Sequence, residues 1–62
     1  MADYIADALR ASQSEQTTIV VYVHSVRIAG VVTRYDDDSV ELRHEKGRTV
    51  LRRGSIDAVT AE

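Results

Sequence analysis

Two groups of residues in this 62-residue chain concentrate charge. Asp36, Asp37 and Asp38 form an acidic triplet, while Arg48, Arg52 and Arg53 gather toward the C-terminus, just ahead of Gly54. Neighbouring carboxylates are the oxygen ligands that hard divalent cations take. No further acidic spacing of a calcium loop follows, however, and short carboxylates also accept backbone N–H bonds in a turn. The triplet therefore reads as a capped, solvated turn, and no metal site is expected. Arginine contributes a planar, permanently charged fork that pairs with anions and stacks on flat rings. His24 and His44 have no acid or nucleophile nearby in sequence, and Ser55 lies in no nucleophile elbow, so no catalytic residue and no enzyme are expected. Function has to come from a surface.

Very little protein is available to position that surface. A domain of this length buries only about 60% of the area its unfolded chain exposes, and such domains usually rely on disulfides, a structural metal or association. The chain has no cysteine, and two separated histidines do not supply the four ligands of a structural zinc site. Association between copies remains. Net charge is −2, which argues against a surface that attracts nucleic acid everywhere, and opposite charges are segregated along the chain. No run approaches the ~20 apolar residues of a membrane span. The N-terminus lacks a basic-then-apolar signal pattern, and a cysteine-free composition is compatible with a reducing compartment. The expectation is a soluble cytoplasmic protein with no membrane partner and no cofactor.

Apolar spacing predicts a helix over residues 3–12, with Ile5, Ala8 and Leu9 on one face, Tyr4 and Ala11 flanking it, and Asp3 as its cap. Three turns are marginal alone, so this stripe must lie against something. Residues 13–17 read as a polar connector. Strands are expected over residues 17–24, 26–35, 39–44, 48–53 and 55–59, since Val, Ile, Thr and Tyr dominate those runs. Gly30 sits inside the longest strand, where a glycine usually marks a sharp bend or a close backbone approach. A strand bent there can serve two sheets at once, and Gly47 supplies the positive φ of a hairpin. Residues 1–62 thus read as one domain, mainly β with an N-terminal α-helix: a small, five-stranded, strongly bent SH3-like barrel. Its fourth and fifth strands are left as edges that invite another copy, and a head-to-tail contact of that kind closes into a ring or runs on as a filament.

The order of helix, β-rich run, Gly30-x-x-x-x-Tyr35-Asp36 and a final Arg53-Gly54-x-Ile56 resembles the Sm-like family, which includes bacterial Hfq and archaeal and eukaryotic LSm proteins. Asp7-Ala8-Leu9-Arg10 is similar to the end of the Hfq helix, and the Arg53-Gly54 corner looks like the second Sm motif of LSm proteins. The resemblance implies a homo-oligomeric ring joined between the fourth and fifth strands, with Thr49, Leu51, Ile56 and Ala58 at the subunit interface. It further implies single-stranded, U-rich or A-rich RNA as partner, held on the ring faces or in the pore, as a riboregulator or RNA chaperone would hold it. Carried over to this sequence, the RNA-binding residues are Asp36, Asp37, Asp38, Arg52, Arg53 and Gly54.

The chain departs from the family pattern at informative places. Asp38 stands where the family has an aromatic or histidine for a base to stack on, a contact worth about 1–3 kcal/mol. Asp37 replaces a residue that is usually uncharged, and Val40 replaces an asparagine that reads uracil. On the opposite face Val21, Val26, Ile28 and Ala29 stand where Hfq has tyrosine, isoleucine, leucine and glutamine, and Ala2 stands where it has a helix glutamine. Two readings of Arg52 and Arg53 stay open: contact with RNA, or ion pairs with Asp37, Asp38 or Asp57 of a neighbouring subunit. The alternative function is correspondingly a structural homo-oligomer, or a protein-interaction module with weak or no RNA binding.

Overall fold

The structure, a computed structural model, describes residues 3–61; Ala2 lies outside them. The elements are α1 (Tyr4–Glu15), β1 (Ile19–Val23), β2 (Val26–Tyr35), β3 (Ser39–His44), β4 (Gly47–Arg52), a single 3-10 turn (Arg53–Ser55) and β5 (Ala58–Ala61). The strands are antiparallel in the order β4-β3-β2-β1-β5, which leaves β4 and β5 as the two edges.

β2 is the strand that both halves share. Its first half, Val26 to Gly30, pairs with β1, and its second half, Val31 to Tyr35, pairs with β3. The change of partner falls at Gly30, where a Cβ would lie 2.7 Å from the backbone oxygen of Arg43. Close backbone approach is therefore what this glycine permits. A second irregularity, a bulge between Val32 and Arg34, leaves Thr33 out of the ladder. Its hydroxyl donates to Glu41 Oε1 at 2.8 Å, and its carbonyl accepts from Gln13 Nε2 at 3.4 Å, so the bulge leaves these groups paired.

Inside the bend lie Leu9, Ile19, Val21, Val32, Val40, Leu42 and Ile56, with Ile5, Tyr35, Leu51 and Val59 packed around them. β1 is covered on both faces, since Ile19, Val20 and Val21 are all buried. Val40 and Leu42 point inward while Arg43 is exposed, the alternation expected of β3.

β4 is shifted by one residue from the expected 48–53, and three other elements differ more from what the sequence suggests. α1 runs to Glu15 rather than residue 12, because Ser12 is a buried anchor. Its Oγ donates to the Thr17 carbonyl at 2.6 Å and accepts the Val32 N–H at 3.1 Å, so a polar side chain closes the gap between helix and sheet. The buried face is accordingly Ala6, Leu9 and Ser12, with Ile5 and Ala8 half-buried and Tyr4 80% exposed. β1 begins at Ile19, since Gln16 takes a left-handed C-cap conformation and the chain still has to reverse. β5 spans Ala58–Ala61 rather than residues 55–59. The Arg53 N–H donates to the Asp38 carbonyl at 2.8 Å and the Ile56 N–H to the Arg53 carbonyl at 3.3 Å, which curls 53–55 into a helical turn and delays the strand.

The β1–β2 turn places His24 and Ser25 at φ 50° and 72°. Non-glycine residues occupy that left-handed region at a cost of about 1–2 kcal/mol each. Asp57 anchors the turn: its N–H donates to the Tyr22 carbonyl and its Oδ2 accepts the His24 N–H, both at 2.8 Å. Among the described residues no helix is long and apolar enough to cross a membrane.

Candidate nucleic-acid interface

The acidic turn between β2 and β3 is built by its first member. Asp36 Oδ1 accepts from the Asp38 N–H at 3.0 Å, the Ser39 N–H at 2.9 Å and the Ser39 hydroxyl at 3.2 Å, and its own N–H donates to the Ser39 carbonyl at 3.0 Å. These bonds, that from the Ser39 N–H foremost, hold its carboxyl below the ordinary aspartate value. Asp36 thus shapes the turn through Oδ1, while its side chain stays exposed. Asp37 and Asp38 are exposed, and among the described residues neither carboxylate has a hydrogen-bond or ion-pair partner. No group of three acidic or histidine side chains among the described residues is arranged to hold a metal.

The Arg53–Asp38 backbone bond brings the corner after β4 against this turn. Asp37, Asp38, Ser39, Arg52, Gly54 and Ser55 line one open groove. Four of the residues assigned to RNA from the sequence therefore share a surface. Arg52 is exposed and has no ion-pair partner among the described residues. Arg53 is different. Its Nε donates to the Tyr35 hydroxyl at 3.2 Å, and its Nη2 donates to Asp3 Oδ1 and Oδ2 at 3.1 and 2.9 Å. Tyr35 first, and Asp3 with it, raise the guanidinium above its ordinary value. Arg10 lies 5.4 Å from the Tyr35 ring centroid on the same cluster. Within the chain Arg53 thus pairs with Asp3, an acid the sequence reading did not consider for it. Asp57, one of the neighbouring-subunit acids considered for Arg52 and Arg53, anchors the β1–β2 turn of its own chain.

Of the residues assigned to a subunit interface, Ala58 is exposed on β5, and Thr49 and Leu51 are half-buried on β4. Ile56 is 6% exposed within its own core and presents no free side chain to a neighbour. Val50, which sequence reasoning passed over, is 64% exposed on the β4 edge.

A second groove, also passed over, lies where the first half of β2 meets the β3–β4 hairpin. Arg27, Arg43 and Lys46 line it against the single carboxylate Glu45, with Ile28, Ala29 and Val31 among the apolar residues of its wall. From sequence Arg27, Arg34 and Arg43 read as outward strand residues balancing nearby acids, and Arg34 does stand opposite Glu41. In the fold, Arg27 stands opposite Tyr22, and Arg43 stands opposite Arg48, so neither faces an acid across the ladder. His44 braces the hairpin: its Nδ1 accepts the Lys46 N–H at 3.3 Å, which leaves Nε2 to donate to Thr49 Oγ1 at 2.7 Å. The outward alternation of arginines was the available signal, but assembling them needs the register of three strands.

No family model and no curated protein match this chain. Among solved structures it is similar to a crystal structure of Hfq, described there as a pleiotropic translational regulator. The two superpose with a TM-score of 0.85 at 23% identity, over 100% of this chain and 98% of that one. An N-terminal helix followed by five antiparallel strands in a sharply bent sheet is common to both, and the chain has the Sm-like fold of Hfq.

Proposed function

We propose that this protein assembles through β4 and β5 into a closed homo-oligomeric ring that holds single-stranded RNA without altering it covalently. The observation that carries this reading is the pair of unpaired edges at opposite ends of the strand order, on a barrel similar over its whole length to a translational regulator. Unpaired edges are templates for another chain, and a β4-to-β5 contact is head-to-tail, so it repeats until the rotation closes. Exposed Val50 on β4 and Ala58 on β5 supply side chains for that contact.

Closure repeats every cationic group around the ring. The Arg27–Arg43–Lys46 groove has charge for phosphates and apolar wall for bases, so we assign it the larger share of RNA affinity. The groove by the acidic turn contributes Arg52 and the Gly54 corner, with Asp37 and Asp38 opposing. Titrating labelled oligo-U and oligo-A at several salt concentrations tests both. Binding should weaken with salt at a slope of about 0.7 per phosphate neutralised. Arg43→Ala should lower both affinity and slope more than Arg52→Ala does. Failure to bind either oligonucleotide at low salt would leave the second reading, a protein-interaction ring, which the unpartnered Asp37 and Asp38 favour.

A further inference from the structure

We propose that Asp3 is an intramolecular competitor for Arg53, holding its guanidinium away from RNA until a phosphate displaces it. The inference rests on the reading of the corner after β4 as an RNA contact and adds a control to that site. Asp3 makes two kinds of bond with one carboxylate. As the cap of α1 its Oδ1 accepts the Ala6 N–H at 3.0 Å, and both oxygens receive Arg53 Nη2. On the other side of the guanidinium the Tyr35 hydroxyl takes Nε. The charge is therefore matched at short range by an anion of its own chain, although the Arg53 side chain is still 20% exposed and that of Asp3 59%.

The consequence is a groove with the wrong sign. With Arg53 clasped, Arg52 is the one cation lining it among the described residues, against the carboxylates of Asp37 and Asp38. The oxygens of a phosphate can accept from the same Nη2 that donates to Asp3, so the two compete for one nitrogen. Because Asp3 is tethered at the end of α1, it competes at a high effective concentration. An RNA that wins it leaves the helix cap exposed.

The test removes the charge of Asp3 and keeps the cap. Asparagine caps helices as well as aspartate, so Asp3→Asn leaves the Ala6 bond available while weakening the hold on Arg53. Asp7→Asn, which removes an equal charge from an exposed position on the same helix without touching Arg53, is the control. Titrated with labelled oligo-U, Asp3→Asn should bind several-fold tighter at low salt than either the unaltered protein or Asp7→Asn. Its salt slope should steepen by about 0.7 for each subunit engaged. The gain should disappear in Asp3→Asn/Arg53→Gln and persist in Asp3→Asn/Arg53→Lys, with far-UV circular dichroism checking that each variant is folded. Equal gains from Asp3→Asn and Asp7→Asn, or a gain that survives Arg53→Gln, overturn the competition. If Asp3→Asn gains nothing while Arg53→Gln loses affinity, the corner remains a contact and the gate falls. If Asp3→Asn gains nothing and adding Arg53→Gln costs nothing, the corner is no contact and both fall.

Discussion

Beside the acidic turn Arg52 and Arg53 are held differently, since the first is unpartnered among the described residues and the second is bound to Tyr35 and Asp3. Side chains next to one another in sequence thus do different work, one offered to solvent and one fastening the helix to the corner. Asp36 is exposed like Asp37 and Asp38 but is fastened by its hydrogen bonds where they are not, and that fastening is titratable. Its folded value is depressed below the ordinary carboxylate value, so the stabilisation it gives is complete above about pH 3.9 and is lost as pH falls through the lower folded value. Thermal melts at descending pH should show the midpoint falling through that acidic window. In Asp36→Asn, which can still accept the Asp38 and Ser39 N–H groups, the fall should be shallower. An asparagine variant whose midpoint falls as steeply would mean that other carboxylates carry the effect. The acidic triplet and the Arg52–Gly54 corner were legible as a possible site because they are the chain's densest charges. The clasp was not, because fifty residues separate its partners and nothing in either segment specifies the other.

At the scale of elements, β2 decides the architecture, and most of it could be read in advance. β-Branched runs, the glycine within the long strand and the charged turns specify strands and reversals with little competition from helix propensity. Where the reading failed, a tertiary bond outweighed a local signal. Ser12 looked like the last residue of the helix, yet it is buried between the Thr17 carbonyl and the Val32 N–H, and the helix continues past it. Ser55 to Val59 looked like a strand, yet the backbone bond from Arg53 to Asp38 curls its beginning. The Arg27–Arg43 groove escaped notice for a related reason, since it exists only once β2 has changed partners at Gly30. That change of partner can be tested directly. A methyl at Gly30 would meet the Arg43 carbonyl, which belongs to the backbone and cannot swing aside. Gly30→Ala should therefore cost about 1–3 kcal/mol in chemical denaturation, the usual range for overpacking. A stability change within about 0.5 kcal/mol would show that the strands separate there without strain.

For the whole molecule the governing fact is how little core it has. Among the described residues, seven form the buried apolar cluster, and both ends of the sheet are open. A domain of this size gains by covering its edges with copies of itself. The same assembly would array the basic grooves so that one strand of RNA could touch several at once, which makes a net charge of −2 compatible with the proposed affinity for a polyanion. Assembly is therefore prior to function, and the measurement that tests it most directly is the native mass of the purified protein at micromolar concentration. We predict one closed species at an integral multiple of the protomer mass, shifted toward smaller species when the exposed edge residue Val50 is replaced by aspartate. A folded monomer at that concentration would contradict the account.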